Sequence, residues 1–333
     1  PVYLTGCFCC FDTVLGRWYN AKNRILGQGA AYFHAEKPAP VQKEDGSVAG
    51  GRIEISEGGR TLLYQAYDPE VLKRVQETEL EILKDFIDLC DRHDIDYFGV
   101  GGTAIGAVRH QGFIPWDDDI DIGFLRKDYE RFLALAKEEL SDKYEVLNAV
   151  EDPRFPLMTS HLVKKGTVFR MEPLKNCKCH FGIFLDLFCF DNVPDDDKIL
   201  RKQGWKAWFW GKLLILRHIG SPTLYFSGIK EKLVRMACQV AHFFLWLFRI
   251  SPGWLYRKAL KASRKYENAE TKRIAWFFDP TPFTSIIDKE QLLPTKKMPF
   301  NGLMMRFPGG VESYLAKRYG DYMQLPPEDK RHN

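Results

Sequence analysis

Acidic and apolar residues alternate in the segment Pro115-Trp116-Asp117-Asp118-Asp119-Ile120-Asp121-Ile122-Gly123-Phe124. Successive side chains of a β-strand point to opposite faces, so a strand within 114–125 would place Asp117, Asp119 and Asp121 on one face. The two isoleucines and the phenylalanine would lie on the other face, which must be buried. Three carboxylates on one face repel one another, and a bound divalent cation is the simplest way to offset that repulsion.

The residue types in this segment favour magnesium or manganese. Hard carboxylate oxygens suit Mg²⁺ or Mn²⁺, and phosphate oxygens can fill the remaining coordination positions. A solvated acidic loop would suit the first two aspartates, but the isoleucines beside Asp119 and Asp121 predict an anchored strand. A calcium-binding EF-hand loop starting at Asp117 would need glycine and glutamate where the sequence has Ile122 and Asp128, which excludes that type of site.

A glycine pair precedes the acidic segment. The tripeptide Gly101-Gly102-Thr103 follows a predicted strand over 96–100 and comes before a possible helix. Glycines at such a point let backbone N–H groups approach an anion, although the tripeptide alone is more often a plain turn. Together with the acidic segment it predicts a phosphate cradle that faces a metal. Arg109 and His110 could bind phosphate or stabilise the leaving group, and a plain surface position explains His110 equally well.

A third carboxylate lies in the apolar strand Gly182-Ile-Phe-Leu-Asp-Leu-Phe188. An unpaired acid in such a strand would be costly to bury, so Asp186 should meet a cation or a strong hydrogen-bond donor. The alternative is an acid at a strand end that accepts backbone hydrogen bonds. We favour the first interpretation, in which Asp186 completes a carboxylate set or takes a proton during the reaction.

Composition describes a folded chain with one unusual segment. The 333 residues carry 48 Lys+Arg against 44 Asp+Glu and are 45% hydrophobic, which excludes extended disorder and collagen-like repeats. The segment 201–265 contains fourteen Lys/Arg and a single acid, Glu231, together with five of the eight tryptophans. The pairs Ser221-Pro222 and Ser251-Pro252 predict that it is helical in separate pieces.

Three functions could use this basic aromatic segment. Its apolar faces with basic flanks would suit an in-plane anchor on an anionic membrane surface. Helices packed on the catalytic core with a solvated basic face would fit equally well. Nucleic-acid binding would also fit the composition, but it leaves the acidic segment and the glycine pair unexplained, so we disfavour it.

The remaining patterns complete an α+β organisation. A hairpin is predicted around 52–64, a helix from Asp68-Pro69 to His93, and a second helix that includes Tyr129 and Leu140. We expect an N-terminal extension (1–65), a catalytic core (66–200), the basic segment (201–265) and a C-terminal part (266–333). No signal peptide is visible, and the apolar run 233–250 is too short and polar to span a bilayer, which favours a cytoplasmic protein that is peripheral on the inner membrane face if it binds lipid.

Three stretches of the chain, taken together, resemble the LicD family of phosphorylcholine transferases. They are Tyr97-Phe-Gly-Val-Gly-Gly-Thr-Ala-Ile-Gly-Ala-Val-Arg-His-Gln-Gly-Phe-Ile-Pro-Trp-Asp-Asp-Asp-Ile-Asp121, Gly182-Ile-Phe-Leu-Asp-Leu-Phe188, and the closing Tyr319-Gly-Asp-Tyr-Met with Leu325-Pro-Pro327. The family shares a nucleotidyltransferase-type fold with fukutin-like sugar-phosphate transferases. The resemblance implies a mixed sheet flanked by helices, here with a basic aromatic helical insertion.

The same resemblance implies a metal-dependent transfer of a phosphoryl-linked group. The typical reaction moves phosphocholine from CDP-choline to a sugar hydroxyl of a cell-surface glycan, such as lipopolysaccharide or teichoic acid, or of its lipid-linked precursor. By this analogy Asp119 and Asp121 hold Mg²⁺ or Mn²⁺ with Asp186, Asp117 supports them, and Gly101-Gly102-Thr103 holds the diphosphate. Another donor, carrying ribitol phosphate or a nucleotidyl group, would present a metal-bound phosphate to the same carboxylates and remains the alternative.

Overall fold

The computed structural model describes residues 68–327, with gaps at 172–173, 175–176, 223 and 225–227, together with residue 331 and the backbone of three N-terminal strands. Those three strands are β1 (Tyr3–Leu4), β2 (Arg52–Glu57) and β3 (Arg60–Gln65). Strands β2 and β3 pair in antiparallel fashion, which confirms the predicted hairpin. The rest of the N-terminal extension lies outside the described residues.

The other strands follow in chain order: β4 (Phe98–Gly99), β5 (Asp121–Leu125), β6 (Tyr144–Leu147), β7 (Ser160–Lys164), β8 (Arg170–Met171), β9 (Phe184–Val193), β10 (Arg273–Trp276), β11 (Ser285–Asp288), β12 (Lys296–Phe300) and β13 (Leu303–Phe307). A seven-stranded sheet has the order β11-β10-β9-β5-β4, and β7 also pairs with β9 and carries β6 at its outer edge. Strands β5 and β9 are parallel, and the other pairs of this sheet are antiparallel. The sheet is therefore mixed, as the resemblance predicted.

Helices flank the sheet: α1 (Pro69–Arg92), α2 (Gly101–His110), α3 (Arg126–Glu139), α4 (Asp197–His218), α5 (Ile229–Leu247), α6 (Pro252–Ser263), α7 (Lys289–Leu292) and α8 (Val311–Tyr319). Helix α1 begins as predicted, because the Asp68 carboxylate accepts a 2.9 Å hydrogen bond from the Glu70 N–H and Pro69 follows the cap. Helix α3 confirms the second predicted helix. The basic segment breaks between α4 and α5 and again before Pro252, as expected.

An aromatic core fixes α1 and α3 against the sheet. Phe86 of α1 lies 4.8 Å from Tyr97, and Phe124 of β5 lies 5.4 Å from Phe132 of α3, measured between ring centroids. All four side chains are fully buried. Ile120 and Ile122 are also fully buried, so the apolar face of the acidic segment anchors it as the alternation predicted.

Candidate active site

A cavity of about 430 Å³ opens where α2, β5, β9 and α4 meet. Its volume falls within the range of small-molecule sites in proteins, about 300–1,000 Å³. Its lining combines carboxylates, cationic side chains and aromatic rings. The polar and aromatic lining residues are Asp117, Asp119, Asp121, Thr159, Asp186, Phe188, Phe190, Trp208, Lys212, Trp276, Phe278, Asp279, Ser285, Arg318 and Tyr319.

The sheet register brings the predicted carboxylates together. Asp121 of β5 and Asp186 of β9 are register partners on parallel neighbouring strands, and both side chains line the cavity. The prediction that Asp117 and Asp119 belong to this strand was wrong, because the Asp117 N–H donates to the Ile114 carbonyl (2.9 Å) and closes a turn. Strand β5 starts at Asp121, and Asp119 lines the cavity from the loop before it.

The first turn of α2 lies against two of these carboxylates. Gly101 has a φ of +59°, and a Cβ atom there would lie 2.5 Å from Asp121 Oδ2. A Cβ atom on Gly102 would lie 2.6 Å from Asp117 Oδ2. The glycines therefore admit the carboxylates to the helix N-terminus, whose dipole favours negative charge. Thr103, which was predicted to hold phosphate, does not line the cavity. Its buried hydroxyl accepts a 2.8 Å hydrogen bond from the Asp121 N–H.

Burial and mutual repulsion raise the pKa values of the carboxyl groups. Burial is the larger cause for Asp119 and Asp121, and neighbouring aspartates add to it. Burial likewise raises the pKa of Asp117, with Asp119 and Asp118 adding to the effect. Burial also raises the pKa of Asp186 from its ordinary 3.8 to about 8. Ionising all of these groups at neutral pH therefore requires a nearby positive charge.

A further carboxylate, Glu79 of α1, was not among the residues predicted from the sequence. Its side chain is 1% exposed, and its pKa is raised by burial and then by repulsion from Asp119 and Asp118. Its Oε2 atom has no hydrogen-bond partner within the described part of the chain. A sequence signal did exist, since Glu79 lies between Val75 and Ile82 on the buried stripe of α1.

A buried histidine stands behind Asp186. His161 is the register partner of Asp186 across β7 and β9, and its Nε2 atom lies 3.6 Å from Asp186 Oδ1. Its ring stacks on Phe184 at a centroid distance of 3.9 Å. Burial lowers the pKa of His161 to about 3, so the ring is neutral at physiological pH and does not compensate the charge of Asp186.

Two cations and a group of rings line the same cavity, and the positive charge of Arg318 opposes the rise in the pKa of Asp121. Arg318 donates a 2.6 Å hydrogen bond to Ser285 Oγ and lies 3.9 Å from the Asp279 carboxylate. Lys212 of α4 is 4% exposed, with its ammonium nitrogen 5.3 Å from the centroid of the Trp208 ring. Sequence reasoning missed both cations, because only the tertiary fold brings α4 and α8 to the acidic strands. Arginine and lysine in a concave site suit phosphate oxygens.

Three aromatic side chains meet at a corner of the cavity. The Trp276 ring lies 5.4 Å from Phe188 at 84° and 4.9 Å from Phe278 at 70°. Gly211 of α4 permits this arrangement, because a Cβ atom there would lie 2.6 Å from the Phe278 ring. All three rings line the cavity, and the π face of an aromatic ring attracts a cation, so they are candidate partners for a cationic group.

Arg109 and His110 lie away from this cavity. Both belong to the last turn of α2, whereas the first turn faces the carboxylates, and ten residues of helix span about 15 Å. The Arg109 guanidinium donates to His110 Nε2 (3.1 Å) and to the Tyr322 carbonyl (3.0 Å). Neither residue lines the cavity, so the prediction that they bind phosphate there finds no support in the geometry.

The donor set fits a hard divalent cation. Asp117, Asp118 and Asp119 can each offer one carboxylate oxygen, and these three atoms lie within 4.8 Å of one another. The buried Asp186 Oδ1 and Glu79 Oε2 atoms, which lie outside that group of three, have no hydrogen-bond partner among the described residues. Carboxylate oxygens of both kinds are donors that Mg²⁺ and Mn²⁺ prefer.

Comparison with known proteins agrees with this geometry. Residues 94–211 match the family model described as LicD/FKTN/FKRP, nucleotidyltransferase domain. Over 275 residues the chain is 30% identical to the lipopolysaccharide cholinephosphotransferase LicD of Haemophilus influenzae, an alignment that covers 78% of this chain and 93% of that protein. Two shorter matches are to uncharacterized proteins of Rickettsia. The one from Rickettsia typhi is 46% identical over 52 residues, which is 16% of this chain and 17% of that protein. The one from Rickettsia prowazekii is 48% identical over 48 residues, which is 14% of this chain and 18% of that protein. The chain therefore belongs to the LicD family, as the three sequence stretches indicated.

Proposed function

We propose that the protein is a phosphocholine transferase that uses CDP-choline with Mg²⁺ or Mn²⁺ and modifies a sugar hydroxyl of a surface glycan or its lipid-linked precursor. Membership of the LicD family makes it a phosphotransferase. The observation that carries the finer proposal is the presence, in one cavity, of a carboxylate cluster and the aromatic corner of Phe188, Trp276 and Phe278.

The aromatic corner supports choline as the transferred group. A quaternary ammonium cannot donate hydrogen bonds, so proteins bind it mainly through the π faces of aromatic rings. Trp276 is 5% exposed and forms the base of the corner, while Phe188 and Phe278 are half-buried and flank it. A ribitol phosphate donor would instead require several hydrogen-bonding groups at this place.

The carboxylates support a metal-bound diphosphate. We assign Asp119, Asp121 and Asp186 to the cation and Asp117 to a supporting position against the N-terminus of α2. The ion, when bound, neutralises the phosphate charge that increases during transfer. Arg318 and Lys212 line the same cavity and suit the phosphate of the departing CMP.

The proposed reaction is a single displacement at phosphorus. The acceptor hydroxyl oxygen forms a bond to the phosphorus that carries choline, the bond from that phosphorus to the CMP oxygen breaks, and CMP leaves. The hydroxyl proton passes to Asp186, a carboxylate that lines the same cavity. One phosphocholine ester and one CMP form for each CDP-choline consumed.

A donor screen tests this proposal. Purified protein is incubated with a glycan or glycolipid acceptor and Mg²⁺, and with CDP-choline, CDP-ribitol or CTP in turn. We expect CMP release with CDP-choline that depends on acceptor and stops in excess chelator. Pyrophosphate release from CTP would instead show nucleotidyl transfer, and CMP release with CDP-ribitol alone would reassign the donor. Asp142→Asn, an exposed acid outside the cavity, serves as the matched control for Asp121→Asn.

A further inference from the structure

The basic aromatic segment divides into parts with different surroundings. Helices α4 and α6 pack on the catalytic core, where Leu214 and Leu255 are fully buried and Trp210 contacts Trp254 at 5.3 Å. Helix α5 packs through its other side, with Cys238 buried and His242 bonded to the Leu216 carbonyl (2.6 Å). The two interpretations of the segment, core packing and membrane contact, thus concern different helices.

Helix α5 turns a long apolar face outward. The exposed apolar residues recur at helical spacing of three and four, and Phe248, directly after the helix, is exposed as well. This apolar stripe consists of Ile229, Leu233, Met236, Val240, Phe243, Phe244 and Leu247, with Trp246 and Phe248 at its end, and each side chain is 48–79% exposed. At roughly 100 Å² of exposed area per side chain, the patch is on the order of 900 Å², larger than the ~300–600 Å² patch of an ordinary monomer.

The charges around the stripe have one sign. Lys230 and Lys232 flank its first turn and Arg249 follows its last, and all three are exposed. The sole acid of α5, Glu231, is buried and paired with Arg235 at 2.8 Å. An apolar face with basic borders is complementary to a bilayer that carries anionic lipid.

The stripe is suited to lying in a membrane surface rather than crossing the membrane. Among the described helices, none is long and apolar enough to span a bilayer alone, although α5 and Pro252–Tyr266 pass that test as a pair bent by 115°. Trp246 and Trp254 lie near the bend and are exposed, and tryptophan favours the headgroup level of a bilayer.

We propose that the apolar stripe of α5 is a docking surface for anionic membranes, inserted parallel to the bilayer plane. This inference does not depend on the transferred group. The stripe supplies apolar area, the flanking Lys230, Lys232 and Arg249 supply attraction to lipid phosphates, and the packed side of α5 connects the membrane to the helix that lines the catalytic cavity. A lipid-linked acceptor would then be held beside the site that modifies it.

Vesicle sedimentation tests the proposal with the full chain. We expect binding to vesicles that contain phosphatidylglycerol and at least tenfold weaker binding to pure phosphatidylcholine. The variant Phe243→Ser/Phe244→Ser/Phe248→Ser should lower the bound-to-free ratio by at least about tenfold, because three inserted rings are lost. The matched control changes three exposed residues outside the stripe, Val150→Ser/Val168→Ser/Met304→Ser, and should bind like the wild type.

Folding and self-association are checked in the same preparations. The stripe variant should keep its melting temperature, since the altered side chains are exposed, and Lys230→Gln/Lys232→Gln/Arg249→Gln should remove the preference for anionic lipid. Equal sedimentation of the stripe variant and the wild type would overturn the proposal. A wild-type dimer that the stripe variant disperses, without vesicle binding by either, would assign the stripe to a second copy of the chain instead.

Discussion

When divalent cations are removed by a chelator, the free energy of unfolding of this protein should fall as pH rises above neutrality. Burial raises the pKa of Asp186 from its ordinary 3.8 to about 8. Between these values the folded protein holds a proton that the unfolded chain has released, so the free energy of unfolding decreases with pH. The buried rings of His161 and His218, with pKa values of about 3 and about 4, act in the opposite sense, and most of their effect is complete at the ordinary histidine value of 6.5. From pH 6.5 to 8 the carboxylates therefore contribute the larger part of the change.

The magnitude follows from the Asp186 shift. For a carboxyl group with a pKa of about 8, raising the pH from 6.5 to 8 lowers the free energy of unfolding by about 1.6 kcal/mol. Asp119, Asp121 and Glu79 lower it further, because their pKa values are also raised. A loss of this size lowers the melting temperature by about 2–3 °C for a chain of this length. A bound divalent cation stabilises the ionised forms, so Mg²⁺ should reduce or reverse the slope.

Thermal unfolding in EDTA and in Mg²⁺, at pH 6.5, 7.25 and 8, measures this effect. The difference between the two melting temperatures should increase with pH. Asp186→Asn should flatten the slope in EDTA, whereas the surface variant Asp142→Asn should leave it unchanged. A melting temperature in EDTA that stays constant or rises across this window would refute the account of the carboxylate cluster.

Four further predictions concern single residues. Asp119→Asn and Asp121→Asn should each reduce CMP release at least about 1,000-fold while raising the melting temperature in EDTA, because a repelling charge is removed; unchanged turnover would contradict the metal assignment. Gly101→Ala should lower activity at least tenfold, since the new Cβ atom would meet Asp121. The control is Gly166→Ala: Gly166 has a φ of +77°, but no atom lies within 4 Å of the place of its Cβ, so this variant has only a backbone strain of about 1 kcal/mol. Arg126→Ala should destabilise the fold by about 3–5 kcal/mol in urea unfolding. Asp191 is 1% exposed and bound by Arg126 at 2.8 and 2.9 Å, and without that cation its buried charge would keep only the hydrogen bond from the Ser263 hydroxyl. A loss below 1 kcal/mol would argue against this assignment. His161→Phe keeps the stacking on Phe184 but removes the ring nitrogen next to Asp186, so kcat should fall about tenfold at unchanged melting temperature, and a change in KM alone would exclude this positioning role.

The sequence allowed the carboxylate side of the cavity to be predicted because its signals are local. Alternation around Ile120 and Ile122 placed Asp119 and Asp121 on one face, and an acid within an apolar strand identified Asp186. The extent of the strand was overestimated, since alternation cannot show the turn that Asp117 closes with a backbone hydrogen bond.

The cationic and aromatic walls depend on long-range packing. Arg318 and Trp276 are distant in sequence from the acidic segment, and only the sheet and α8 bring them to it. Composition also could not distinguish α4 from α5, because both combine aromatic and basic residues. What separates them is burial: Lys212 of α4 is enclosed in the cavity, whereas Phe243 of α5 faces outward.

The most direct test of the central claim follows phosphocholine itself from donor to acceptor. Purified wild-type protein and Asp121→Asn are incubated with choline-labelled CDP-choline, Mg²⁺ and a glycolipid acceptor, and the acceptor is examined by mass spectrometry while CMP is quantified. We expect one phosphocholine ester on the acceptor for each CMP released by the wild type, and neither product from the folded variant. Equal product from both proteins, or labelled choline that never reaches the acceptor, would contradict it.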